Sequence, residues 1–557
     1  MNVIFDTMYK KSTAAVFWSV ALEAALLIIL ACVDINIMSP VAWIEFIYTC
    51  FSIHLWIYFL PLAGITVAQG MMYSKKYLTA PGFCKTRFDL LKSFFSFHNM
   101  LMLIIFPAMS FTITWTFLSV VGRDYLKMTG SCRNSAQDCV TEGYVFLVLC
   151  GIWSGIHFFI TNYVWDNNLL VFPVVHQLKY IEVKSELFSS LKLALYKAMW
   201  PTLYFLVFFY WKSEYIYDVF DLSVSKSELD ILFILHAWLF TTIFIFTNLI
   251  TRHLLQVYLT EHWEFPVISV LKESVTLHQA IAMKEQPVFQ SLGCYDLMVL
   301  AGSDFCRRQE LFSLSQPGGH PHNWNALIKE VLSLIDNFTS DLNAANLDGG
   351  VTLHANKPTP DNLISASPLN VKKLHLHSMR NLSMQRDPVQ QDSQFGSAPV
   401  PLWDFFTYFV KKRVDQFKAG FSKKPPIRFF FGEIPDARLR YILSQSPQII
   451  WAVQGISCLA ATSLREDKYG VVIKDLPSVV LSLVNLKQTL EKIPKTGNYK
   501  RSQKNEQDET KIKIALKSAV KRGLYHICLT YGVSVMELEL PRNVHSQLQL
   551  FLSFKEG

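Results

Sequence analysis

Five ionisable side chains fall inside long apolar runs of this 557-residue chain: Glu23, Glu45, His54, His157 and His236. An ionisable group in hydrocarbon is costly, so each is a functional candidate by default. The chemistry would be proton or ion movement, or a hydrogen bond inside a helix bundle. A carrier should also show paired charges, broken helices in related positions and an internal repeat. No repeat is visible, and Pro61, Pro107 and Pro201 sit in three different runs without symmetry. Glu45 lies near the end of its run and can reach an interface. Glu23 is central, and reads as a protonated carboxyl hydrogen-bonded inside the helix bundle. A polytopic membrane transporter or channel using Glu23 and the histidines is the alternative reading.

Other constellations offer less. His320 and His322 stand two apart in a loop with no neighbouring Cys or acidic cluster, which is a poor metal site. There is no Walker loop, GxSxG, HExxH or HxxxxD acyltransfer pattern. No enzyme, cofactor or metal is expected. The ten cysteines contain no CxxC pair and no zinc-like spacing.

The elements that carry these residues are membrane spans. Hydrophobic residues make up 51% of the chain and charged residues 17%, against about 25% charged in ordinary soluble domains. Mean hydropathy is +0.25, the average of an oily half and a polar half. The thirty residues Ser93 to Gly122 contain no Asp, Glu, Lys or Arg. A bilayer core of roughly 30 Å needs about 20 apolar residues as a helix. Span one is Ala14 to Val33, with Glu23. Span two lies between Val41 and Gly70, with Glu45 and His54. Span three falls within Ser93 to Gly122, and span four is Gly143 to Trp165 with His157. Span five has a short apolar core, Ala198 to Trp211, flanked by Lys197 and Lys212, which must snorkel. Span six is Ile231 to Ile250, with His236. Gly151 and Gly155 form a GxxxG, which can let two helices approach closely.

Basic residues set the orientation. Lys10 and Lys11 precede the first run, which is long enough to stay as an anchor rather than a cleaved signal. The second connection has Lys75, Lys76, Lys85, Arg87 and Lys92; the fourth has Lys179, Lys184, Lys192 and Lys197. The first connection has none, and the third and fifth offset theirs with acids. Both termini are therefore expected in the cytosol. Cys132 and Cys139 then share one short non-cytosolic loop, where a disulfide is sterically feasible and chemically permitted. The net charge of +8 suits anionic headgroups or acidic partners and is too diffuse to argue for nucleic acid.

After Arg252 the pattern changes to amphipathic helices. Leu327, Ile328, Val331, Leu332, Ile335 and Phe338 follow Trp324 at helical spacing, with Asn323 as N-cap. Before them runs Phe312-Ser313-Leu314-Ser315-Gln316-Pro317-Gly318-Gly319-His320-Pro321, in which Pro-Gly-Gly forces a turn. This reads as a rigid elbow between two helices, or as a docking edge for a partner through Phe312, Gln316, Pro317, Gly318, Gly319, His320 and Trp324. Periodicity is lost from Asp341, and residues 345–400 read as a flexible linker. Leu402 to Phe421 puts Phe405, Phe406, Phe409 and Phe417 on one face, with Trp403 beside them and Lys423 and Lys424 following. Such a helix can lie on a membrane surface or pack on its own domain. Tyr441 to Leu464 is uncharged, but its glutamines and serines mark a buried helix rather than a seventh span. A helix is expected from Asp475 and Pro477 to about Lys492, then a disordered loop at 495–510, then helices Lys511 to Tyr531 and Pro541 to Phe554.

The expected fold is all-α: a six-span transmembrane domain (1–251), a helical cytosolic segment (252–344), the linker, and a C-terminal helical domain (401–557). This layout, together with the string Ser313 to Pro321, resembles the pore-membrane nucleoporins called the nuclear division cycle protein family. In specific residues the likeness is sharp mainly over Arg307 to Trp324. The resemblance implies a non-enzymatic protein of the nuclear envelope at nuclear pores, where it anchors the pore scaffold and supports pore assembly. It implies partners among soluble inner-ring adaptor nucleoporins and a WD-repeat nucleoporin. Self-association is compatible with it, and direct nucleic-acid binding is not implied. On that reading the loop with Cys132 and Cys139 faces the perinuclear space.

Overall fold

A computed structural model of the chain describes residues 2–33, 40–79, 86–121, 129–131, 138–140, 142–163, 170, 172, 178–213, 215–216, 231–268, 275–314, 319–355, 437–493 and 503–553. The first block of helices is α1 (Asn2–Val33), α2 (Pro40–Phe51), α3 (Ile53–Leu78), α4 (Arg87–Phe94), α5 (Phe97–Val121), α6 (Glu142–Phe158), α7 (Lys179–Trp211) and α8 (Ile231–Leu259). A π-helical turn, Phe159–Tyr163, continues α6. A two-stranded antiparallel ladder, β1 (Thr129–Ser131) with β2 (Asp138–Val140), sits between α5 and α6.

Six of these helices are long and apolar enough to cross a membrane, within α1, α3, α5, α6, α7 and α8. Their packing explains the positions of the small and kinking residues. A Cβ on Gly155 would come within 2.5 Å of the Pro107 backbone, and one on Gly151 would meet the Ser110 carbonyl oxygen at 3.2 Å. The GxxxG of α6 is thus the seam against α5. Span two departs from expectation. The run from Val41 is broken at Ser52, whose extended backbone (φ −69°, ψ 135°) separates α2 from α3 while its hydroxyl caps the new helix at the His54 N–H. Span five also differs: its short apolar core is the second half of the 33-residue α7, whose first half carries the lysines.

The later helices are α9 (Leu277–Ala282), α10 (Pro287–Ser303), α11 (Phe305–Phe312), α12 (His322–Ala355), α13 (Ala437–Ser444), α14 (Ser446–Glu466), α15 (Val471–Glu491), α16 (Gln503–Tyr531) and α17 (Arg542–Leu552), with a 3-10 turn at Gly532–Glu537. Helices from both sides of 356–436 share one core. Leu297 of α10 abuts the Gly455 position of α14, and Ser457 of α14 abuts the Gly523 position of α16. Leu292, Leu327, Ile456, Val480 and Leu524 are all buried in it.

Several boundaries move from the sequence reading. α12 begins one residue before the expected cap and runs past the expected linker boundary, because Leu342 and Ala345 continue its buried face. The Tyr441 to Leu464 stretch is two helices meeting at Gln445. α15 starts at Val471, not near Asp475. Gly470 makes the reversal at φ +63°, and the Asp467 carboxylate accepts the N–H groups of Tyr469 (3.0 Å) and Val472 (2.9 Å). Pro477 is accommodated inside the helix. α16 reaches back to Gln503 through part of the expected loop, where strong helix formers and acids sit at the favourable end of the helix dipole.

Candidate functional site: the span bundle and its joined helical tail

Glu23 is fully buried and does not meet the intramembrane histidines. Its Oε2 accepts from Thr66 Oγ1 at 2.6 Å, joining α1 to α3. One turn away, Ser19 on α1 bonds Thr251 on α8, and Gln69 on α3 donates to Asn248 on α8. Three helices are therefore tied pairwise by one polar layer, with Ser12 and Ser74 adding a further α1–α3 bond at 2.6 Å. Interhelical bonds of this kind contribute about 0.6–2 kcal/mol each in a membrane. The arrangement fixes helix rotation. It places Glu23 in an interhelical layer, and sequence reading missed its partner Thr66 and the neighbouring Gln69–Asn248 and Ser19–Thr251 pairs. The available signal was polar residues at helical spacing on one face of each run.

The other intramembrane groups are dispersed. His236 is buried beside the Phe117 and Phe240 rings, His157 lies half-buried near Tyr204, and His54 is exposed at the start of α3. The side chain of Glu45 lies outside the described residues. Among the described residues no cluster of three or more His, Cys, Asp or Glu could hold a metal ion.

Where the bundle meets the later helices, charge is dense and paired. Glu261, just after α8, holds Lys179 at 2.7 Å and Lys11 at 3.2 Å. These ties bring the start of α1, the start of α7 and the end of α8 to one end of the bundle. Burial works against the Glu261 carboxylate, but hydrogen bonds from Lys179 and the nearby charge of Lys11 hold its pKa below the usual value.

Asp296 is the centre of the next tie. Arg307 donates to both of its oxygens, at 3.0 and 2.7 Å. His262 Nε2 lies 3.2 Å away and the Phe265 N–H donates at 3.0 Å. Arg307 also donates to the Phe265 carbonyl at 2.7 Å. The segment leaving the last span is thereby clamped to α10 and α11. Burial alone would raise the Asp296 pKa; the bonds from His262 and Arg307 outweigh it and hold the group below its ordinary value.

Next to it, Arg308 makes a two-pronged bond to Glu466 at 2.8 and 3.0 Å, crossing from α11 to α14. Its Nη1 donates to the Leu300 and Ala301 carbonyls at the end of α10. Gln448 of α14 donates to Ser291 of α10 at 2.8 Å, and Ser482 of α15 donates to Asp336 of α12 at 2.6 Å. The Phe172 ring, from the connection between α6 and α7, packs edge-on against Trp451 of α14 at 5.2 Å.

The elbow brings its two ends together. Phe312 and Trp324 are both buried, with ring centroids 6.0 Å apart, and Trp324 Nε1 donates to Asp475 at 2.9 Å. Gly319 is half-buried and His320 exposed, while Gln316, Pro317 and Gly318 lie outside the described residues. So do Cys132 and the residues Trp403, Phe405, Phe406, Phe409 and Phe417; Cys139 stands opposite Gly130 in the ladder. Sequence reading passed over Arg307, Arg308, Asp296 and Glu466. The pair of arginines was the visible signal; Asp296 lies 11 residues before Arg307 on the neighbouring helix, whereas Glu466 lies 158 residues after Arg308.

The sequence profile of the family described as "Nucleoporin protein Ndc1-Nup" matches residues 13–549. The chain belongs to this family. It is similar to "Nucleoporin NDC1" of Homo sapiens at 23% identity, over 100% of this chain and 98% of the relative. Its identity to "Nucleoporin NDC1" of Danio rerio is 25%, over 98% of each chain. Identity to "Nucleoporin Ndc1" of Drosophila pseudoobscura pseudoobscura is 26%, over 95% of each. As an Ndc1-family nucleoporin the chain is a structural component of the nuclear pore in the nuclear-envelope membrane, and not an enzyme. The family removes the motive for reading Glu23 and the span histidines as a transport path.

Proposed function

We propose that the chain is a membrane anchor for the nuclear pore scaffold and supports pore assembly. The observation that carries this reading is the continuity between its two halves. Asp296, Arg307 and His262 clamp the tail to the end of the last span, so a load on the tail passes into six helices held in lipid. The tail is the surface offered to soluble partners. By the family resemblance these are inner-ring adaptor nucleoporins and a WD-repeat nucleoporin. The elbow, with Phe312, Gln316, Pro317, Gly318, Gly319, His320 and Trp324, is the candidate docking edge. The buried Phe312–Trp324 pair holds the two ends that flank it together. A membrane-surface role for Trp403, Phe405, Phe406, Phe409 and Phe417 would add a second contact with lipid.

Both termini face the cytosol and nucleoplasm on this reading, as the lysines at one end of the bundle favour. The loop between α5 and α6 then faces the perinuclear space, where a Cys132–Cys139 bridge would close it.

The test is the location of a fluorescently tagged full-length chain, beside a chain lacking residues 260–557. Nuclear-rim puncta coinciding with pores for the full chain, with scaffold nucleoporins lost from the precipitate of the truncated one, are expected. A plasma-membrane or vesicular pattern for the full chain would sink the reading.

A further inference from the structure

The α2 helix is not one of the six spans. From Ile53 to Ser74, α3 rises about 33 Å, which already fills a bilayer core of about 30 Å. Lys75 and Lys76 bound it at the terminus-side end. Ile53 therefore stands at the opposite boundary of the bilayer, and the twelve residues of α2 lie at or beyond it. A twelve-residue apolar helix is too short to cross; it is a buried core helix or a segment lying in the interface. It is not buried. Ile44 is 68% exposed, Tyr48 79% and Phe51 82%, and Val41, Trp43 and Ile47 are also exposed. At 100° per residue these six positions form one sector about 160° wide. On α3, Ile53, Trp56, Ile57 and Leu60 are exposed as well. The extended backbone of Ser52 lets α2 turn away from the axis of α3.

We propose that α2 lies flat in the leaflet remote from the chain's termini, as an interfacial helix. The occupant of its exposed sector is phospholipid acyl chain. Trp43 and Tyr48 suit the headgroup boundary, where amphipathic rings are enriched. Ile44, Ile47 and Phe51 reach below it. Such a helix couples the tilt of span two to the surface of one leaflet, so the bundle grips that leaflet beyond the six crossings. The inference goes beyond the anchor reading and depends only on the crossing of α3.

The test uses the full chain in phosphatidylcholine–phosphatidylserine liposomes. A photoreactive benzoylphenylalanine replaces Ile47, Thr49 or Leu60, one at a time, and adducts are mapped by mass spectrometry. Lipid adducts several-fold more abundant at position 47 than at 49 are expected, located on acyl carbons near the ester. Position 60, in mid-span, should give adducts near the terminal methyl and shows that the crossing itself is intact. Water-quenched probe at 47 with normal adducts at 60 would overturn the proposal while leaving the anchor reading untouched. Adducts at 47 to protein rather than lipid would also overturn it, as would adducts confined to the terminal methyl, which mark a re-entrant segment.

Discussion

Asp296, itself fully buried, gathers two bonds from Arg307, one backbone N–H and the His262 ring, with Arg307 and His262 partly exposed. Removing one partner of such a pair leaves the other charge largely buried and short of its main counter-charge. Asp296→Asn is expected to destabilise the tail by about 3–5 kcal/mol, read from denaturant unfolding of the purified full chain. The pH dependence has a defined sign. The folded carboxyl titrates below its unfolded value, so its contribution is complete above the unfolded pKa of about 3.9 and is lost as pH falls through the folded one. The wild type should therefore lose stability below about pH 4, and Asp296→Asn should show a flatter acid limb. Glu23 behaves differently. Glu23→Gln keeps an acceptor for Thr66 and the side-chain volume, and pore targeting in cells should be unchanged. Loss of targeting with a folded bundle would show that the carboxyl does more than pack.

Between α5 and α6, close approach depends on what is missing. No side chain fits between Gly155 and the Pro107 backbone. Gly155→Leu should part the two helices and sharply lower the yield of monodisperse protein in detergent, measured by size-exclusion chromatography. At the elbow, Trp324 fills the space between α11, α12 and α15, and its indole N–H is bound to Asp475. Trp324→Ala should cost about 3–5 kcal/mol. The exposed His320 is a contrast: His320→Ala should leave the tail folded, while weakening partner capture if the elbow docks a nucleoporin. A pulldown with the folded variant separates these two outcomes.

For the molecule as a unit, the shared core of the tail has a direct consequence. Arg308–Glu466, Gln448–Ser291 and Ser482–Asp336 each join residues about 150 apart in sequence. Segments 260–355 and 437–553 should each be degraded when expressed alone and protected when co-expressed, as limited proteolysis would show. Independent folding of either segment would contradict the shared core.

The six crossings were legible because hydrocarbon imposes a length and excludes charge, and both constraints act on contiguous residues. The amphipathic period that gave α12 its buried face is likewise local. The family string Ser313 to Pro321 was legible for the same reason. The break at Ser52 was not, because an apolar run looks the same whether it is one helix or two. Nor were the partners of Glu23: Thr66 lies 43 residues away, and only packing of α1 on α3 brings them together. The bridge from Arg308 to Glu466, 158 residues apart, was invisible for that reason too, while the Asp296 clamp depends on how α11 folds back on α10. Sequence states that a charge must be paired if it is buried; which acid pairs with which arginine depends on helices meeting in space. Span number, tail character and family could thus be read from the chain as written. The joining of bundle to tail, and of the tail's two segments to each other, belongs to tertiary structure, because long-range contacts carry no local signature.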